Sequence, residues 1–194
     1  MNKPLNLDSG IFEKVAIERI IKYVDSSYSS LYYNKKKDDF DFTNVERTWA
    51  LEHTSYIISN EIEVHNYEKA RLEGKSPDPS RIEGVTLDSD GDVLAYYGES
   101  MSTLRRMLLK AISKKNAKCK KRLLKEKSFT RVELVVTVPD DPLFDDEKSI
   151  KPLDEWIKKL DNIFTTIYII FYSSIFIFNG KTGEYKYVSY KYNV

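Results

Sequence analysis

The chain has 194 residues, enough for one domain with a core of its own, and its 31 basic and 30 acidic residues leave a net charge of +1. That balance excludes a whole-molecule field drawing the protein to a polyanion, and the lone cysteine, Cys119, excludes an internal disulfide. The N-terminus lacks a basic stretch followed by an apolar run, so the expected location is the cytoplasm.

From Ile11 to Val24 the apolar residues Ile11, Phe12, Val15, Ile17, Ile20, Ile21 and Val24 recur at helical spacing. With Ser9 placed to cap the first turn, this predicts an amphipathic helix packed on a sheet, and residues 1–9 are expected to be flexible. Ser26 to Lys37 is polar and rich in tyrosine and reads as a loop. Phe40 to Val45 and Thr48 to Ile58 read as two strands of a hairpin turned around Val45-Glu46-Arg47. Glu61 to Leu72 has helical composition and stops at Gly74, where a breaker-rich linker runs to Ser80.

Val85 to Leu87 and Val93 to Tyr97 predict a small hairpin turned at Asp90-Gly91. The acidic loop between them superficially suggests calcium. Counted from Asp88, though, its glycine is fourth, where a calcium loop needs one sixth, so a solvated turn is expected. Ser100 to Ser128 is the longest helix, with Leu104, Leu108, Ala111, Ile112, Cys119 and Leu123 in one stripe and a strongly basic remainder. Eleven Lys or Arg and a single acid, Glu126, lie between Arg105 and Lys127, whereas Asp140 to Glu147 holds five acids.

Val132 to Val138 is a nearly continuous apolar run ended by Pro139, which fits a central strand buried on both faces. Pro152 to Leu160 predicts a short helix. Thr166 to Tyr172, Ser174 to Phe178 and Glu184 to Tyr190 predict closing strands, the last two joined by Asn179 to Gly183 into an antiparallel edge. The most apolar stretch, Ile163 to Phe178, is broken by Thr165, Thr166, Ser173 and Ser174 and is dense in β-branched and aromatic residues, so it reads as strand and not as a membrane span. The expected fold is a single α/β domain over residues 1–194.

Chemistry concentrates on Asp39-Phe40-Asp41-Phe42 and Leu51-Glu52-His53-Thr54. Alternate residues of a strand share a face, so Asp39 with Asp41, and Glu52 with Thr54, each point one way. If the two strands pair, one acid from each meets the other, as phosphodiester cleavage requires when a divalent ion polarises phosphate and activates water. The competing reading makes Asp39 and Asp41 charges that discourage edge pairing, with Glu52 facing solvent.

The order helix, acidic strand pair, helix, basic helix, apolar strand, short helix and final strands resembles the restriction-endonuclease-like superfamily with its PD-(D/E)xK motif. Asp39 or Asp41 matches the first acid, Glu52 the second, and Thr54 stands where the lysine would be, as in a bacterial branch reading Glu-x-Thr. The likeness implies a mixed central sheet flanked by helices and a magnesium or manganese ion held by Asp39 or Asp41 with Glu52. It also implies Asp41, Glu52 and Thr54 as the catalytic set. Thr54 carries no charge, so a lysine from elsewhere has to supply one; Lys69, Lys114 and Lys118 are the candidates, and Glu13 and Glu18 are candidate added carboxylates.

Lys114, Lys118 and Lys121 are the candidate contacts to a DNA or RNA backbone. The other reading open at this point is a non-catalytic interaction or immunity factor on the same fold, with Tyr28, Tyr32 and Tyr33 offered to a protein partner. His53 should face away from Glu52, and His65 has no second histidine to make a zinc pattern. Cys119 falls on the apolar stripe and reads as buried, and no phosphate-binding glycine loop or nucleophile elbow is present.

Overall fold

The structure, a computed structural model, describes residues 11–34, 38–55, 59–78, 85–96, 101–138, 150–171 and 173–190. Residues 1–9, the lysines 35–37, the acidic run 140–147 and the side chains of His65 and Leu104 lie outside the described residues. The chain divides into two compact units, residues 57–106 forming one and the flanking segments the other.

The larger unit is a seven-stranded mixed sheet. In chain order it holds α1 (Ile11–Tyr23), a 3-10 turn (Ser26–Ser30), β1 (Tyr32–Tyr33), β2 (Phe42–Thr43) and β3 (Trp49–Ser55). After the smaller unit come the greater part of α3 (Met101–Lys125), β6 (Arg131–Thr137), α4 (Leu153–Lys159), β7 (Thr166–Ile170), β8 (Ser174–Asn179) and β9 (Tyr185–Ser189). The strand order is β1-β2-β3-β6-β7-β8-β9. The three central strands β3, β6 and β7 run parallel, and the antiparallel pairs lie at either side.

β6 is buried along Val132 to Val136 because parallel neighbours flank it and helices cover it, as its apolar run predicts. Alternation decides the rest. Leu51 and Val135 join Ala16, Ile17 and Ile20 of α1 in one core cluster, so Glu52, one residue on, faces the other side, where α3 lies. Leu108, Ile112 and Cys119 of α3 are fully buried, as their stripe predicts, and each large apolar side chain so removed from water contributes about 1.5–3 kcal/mol.

Several boundaries differ from the sequence expectation. Within Ser26–Lys37, expected as a loop, residues 26–33 form the 3-10 turn and β1, because the buried Tyr28 hydroxyl donates to Glu133 at 2.7 Å and pins the chain to the sheet. Asp25 caps that turn by accepting from the Ser27 N–H. β2 is shorter than expected because the Asn44 side chain accepts from the N–H groups of Thr48 and Trp49 and closes the hairpin early. Arg47 takes a left-handed φ of 53° in that turn.

The smaller unit holds α2 (Ser59–Leu72), the antiparallel pair β4 (Val85–Leu87) and β5 (Val93–Tyr96), and the first residues of α3. Tyr67 packs with Leu87 and Val93, and Arg71 bonds Asp92 and the Asp90 carbonyl across the turn. In the acidic turn one oxygen of the Asp88 carboxylate accepts from the N–H groups of both Asp90 and Asp92, with Gly91 at φ 81°, so it serves the turn itself. No helix among the described residues is long and apolar enough to cross a membrane.

Candidate active site

β2 and β3 pair Phe42 with Leu51, so the next step outward sets Asp41 across from Glu52. The Asp41 carboxylate accepts from the His53 N–H at 2.7 Å. Glu52 has no exposure, and three cations of α3 surround it: Lys115 at 2.9 Å and Lys118 at 3.4 Å on one oxygen, Arg122 at 2.6 Å on the other. Lys115 also donates to the His53 carbonyl at 2.6 Å. Its ammonium is thus coordinated by one carboxylate oxygen and one backbone carbonyl, with Asp41 beside them.

The electrostatics follow from burial. Asp41 is pushed up to about 6 by desolvation and then by the Glu52 charge, against the pull of the His53 N–H and Lys115. Two carboxylates sharing a site resist joint ionisation, and a cation between them relieves that repulsion. His53 lies on the α1 side, as alternation requires. It bonds Thr137 Oγ1 through Nε2 at 2.8 Å and approaches Glu13 at 3.9 Å, and burial, followed by Lys115, lowers it to about 4. Burial, followed by the Glu52 charge, raises the Cys119 thiol to about 12, so it stays an inert core group.

Beside Glu52 opens a cleft of about 510 Å³. Phe40 lines it and packs edge-to-face on Phe129, with Arg122 over the first ring and Arg47 over the second. Lys118, Lys121, Arg122 and Lys125 line one side from consecutive turns of α3. Arg47 bonds Asp39 through two nitrogens at 2.9 and 3.1 Å and Glu126 through two at 2.5 and 2.8 Å, tying the β2–β3 turn to the end of α3. Although partial burial works against it, this pairing with Arg47 holds the Asp39 carboxyl below its ordinary range.

The structure therefore brings together Asp41, Glu52 and Lys118, with Thr54 half-buried on the Glu52 face of β3. Asp39 is engaged by Arg47. Lys121 lines the cleft, whereas Lys114 is exposed and is not among the cations that bond Glu52. Lys69 belongs to the smaller unit, and Glu18 is exposed. Tyr28, read as an exposed contact residue, is buried, because its hydroxyl is needed by Glu133; Tyr32 is exposed and Tyr33 half-buried.

Lys115 and Arg122 were not singled out by sequence reasoning. Their signal is the spacing Lys115, Lys118, Arg122, which puts three cations on one helical face beside the buried Cys119. Among the described residues no three His, Cys, Asp or Glu side chains cluster to hold a metal. The Lys115 ammonium bonds a carboxylate oxygen and a carbonyl, with the charge of Asp41 acting on it from nearby, and such oxygens are the hard donors that suit magnesium or manganese. No family model, curated protein or solved structure matches the chain.

Proposed function

We propose that this protein is a nuclease-type phosphodiesterase dependent on magnesium or manganese, built on a restriction-endonuclease-like frame. The observation that carries the reading is the Lys115 ammonium bound to Glu52 and to the His53 carbonyl, across from Asp41. A cation already sits on two oxygen donors of β3, with the Asp41 carboxylate near enough to feel its charge. Those donors are suited to a divalent ion, which when bound polarises a phosphoryl oxygen and lowers the pKa of a bound water.

The chain's own residues have separable roles. Asp41 and Glu52 are the acid pair, and repulsion between them favours a cation. Lys115 supplies from α3 the positive charge that Thr54 lacks at the motif position. Lys118 and Arg122, at the border of the cleft, attract the phosphodiester.

The test is cleavage of single- and double-stranded DNA and RNA by the purified full chain at pH 8 with magnesium or manganese. Cleavage is expected, and Glu52→Gln and Asp41→Asn should each reduce it about 100-fold or more while leaving the circular dichroism spectrum intact. Absence of cleavage of every substrate with both metals would overturn the reading. A second reading, favoured by the three cations already on Glu52, is a protein that binds nucleic acid without cutting it, with Lys115 permanently in the ion's place. It predicts salt-sensitive nucleic-acid binding that manganese does not affect.

A further inference from the structure

Lys118 and Arg122 belong to two places at once. Both bond the buried Glu52, and both line the cleft beside it. Farther along the same helical face stand Lys121 and Lys125, exposed and with no acid paired to either among the described residues. Over the roughly 10 Å from Lys118 to Lys125 implied by helical rise, four cations face one open cleft that Phe40 also lines. That length suits adjacent phosphates of an extended nucleic-acid strand, and the Phe40 ring beneath Arg122 adds an aromatic face beside them.

Glu52 cannot easily take a divalent ion while three cations satisfy it, because every added positive charge at that spot repels the next. A phosphodiester in the cleft offers Lys118 and Arg122 a competing anion at shorter reach to solvent. From these two facts, and resting on the nuclease reading above, we infer that a nucleic-acid strand in the cleft draws Lys118 and Arg122 off Glu52 and thereby opens the acid pair to the metal. Strand and divalent ion then bind cooperatively, and linkage makes the effect reciprocal. The free protein is held in a closed electrostatic state by its own helix.

Half of Lys118's side chain is exposed and its bond to Glu52 is the longest of the three, so it is the first to leave and the safest to replace. The experiment measures manganese binding to the full chain at pH 8, by titration calorimetry and by the electron paramagnetic resonance signal of the unbound ion. It is run with and without a short single-stranded phosphorothioate oligonucleotide that resists cleavage. The oligonucleotide should tighten manganese binding about tenfold, and manganese should tighten oligonucleotide binding by the same factor.

Lys118→Met separates this coupling from simple bridging of the metal by phosphate. Without any oligonucleotide it should bind manganese severalfold more tightly than the wild-type protein, and its gain on adding the strand should shrink. Lys114→Met, the same loss of charge on the same helix at an exposed residue that does not bond Glu52, should leave manganese affinity within about twofold, since an exposed charge is screened by salt. Manganese affinity unaffected by the strand, or unaffected by Lys118→Met, overturns the inference while leaving metal-dependent cleavage standing. Absence of manganese binding under every condition removes the nuclease reading and the inference together.

Discussion

Glu52 and Glu133 lie in neighbouring strands of one sheet, both fully buried and on opposite faces, and they are held in opposite ways. Glu133 accepts from the Tyr28 hydroxyl at 2.7 Å and the Trp49 indole at 2.9 Å, and it pairs with Arg131, whose guanidinium lies 3.8 Å from the Trp49 ring centre. Two of those donors are rings fixed by packing, and the third, Arg131, is stacked on one of them. Glu52 is satisfied by two lysines and an arginine from a single helix, long chains that can swing to water and that regain up to about 2 kcal/mol of rotamer entropy when they do. A buried charge held by rigid donors is a structural element, whereas one held by retractable donors beside a second carboxylate is available for chemistry.

The comparison predicts unequal costs. Glu133→Ala leaves the Tyr28 hydroxyl, the Trp49 N–H and Arg131 without their acceptor and should destabilise the protein by about 3–5 kcal/mol in urea unfolding at pH 8. Glu52→Ala should cost less than about 2 kcal/mol, because two of its three partners, Lys118 and Arg122, line an open cleft and can turn outward while Lys115 keeps the His53 carbonyl. Equal losses for the two variants would break the distinction.

A second contrast lies in the acid pair itself and is read through pH. Asp41 has a folded value of about 6 against 3.8 unfolded, so its stabilising contribution is complete below about pH 4 and is lost as pH rises through 6. His53, at about 4 against 6.5 unfolded, works the other way: its contribution is present above pH 6.5 and is lost as pH falls through 4. The two slopes oppose each other, and between pH 4 and 6 the wild-type stability should be nearly flat on their account. Asp41→Asn keeps an acceptor for the His53 N–H but removes the first slope. It should be more stable than wild type by roughly 2 kcal/mol at pH 8, and its stability should climb with pH across the same window, while manganese binding is lost. An Asp41→Asn protein with wild-type stability at pH 8 would show that the acid pair carries no strain.

How much of this was legible in the sequence depended on the range of the interaction. The helices, the β2–β3 hairpin and the strand β6 follow from local periodicity and turn chemistry, and the mixed sheet appears with them. The shared face of Glu52 and Thr54 also follows from a period of two. Lys115 was missed because its partner lies 63 residues away and any of several lysines on α3 satisfies the local pattern equally well. Glu133 was hidden inside an apolar run, and Tyr28 in a polar one; each makes sense only when the other, 105 residues distant, is set opposite it.

Tyr28 provides the smallest and sharpest test of the rigid half of the comparison. A phenol has one proton to donate and two lone pairs, and here all are used: it donates to Glu133, accepts from Arg131 at 2.9 Å and bonds the Tyr168 hydroxyl. Burial, followed by the Glu133 charge, raises its pKa well above the ordinary value, so it remains a donor at every working pH. Tyr28→Phe preserves the ring against Trp49 and removes only the oxygen, and should cost about 1 kcal/mol. A double-mutant cycle with Glu133→Gln should show coupling of similar size, since both changes act on one network. The same cycle between Lys118→Met and Glu52→Gln should give a smaller coupling, because a half-exposed lysine on a 3.4 Å contact is screened and exchanges its partner for water more readily.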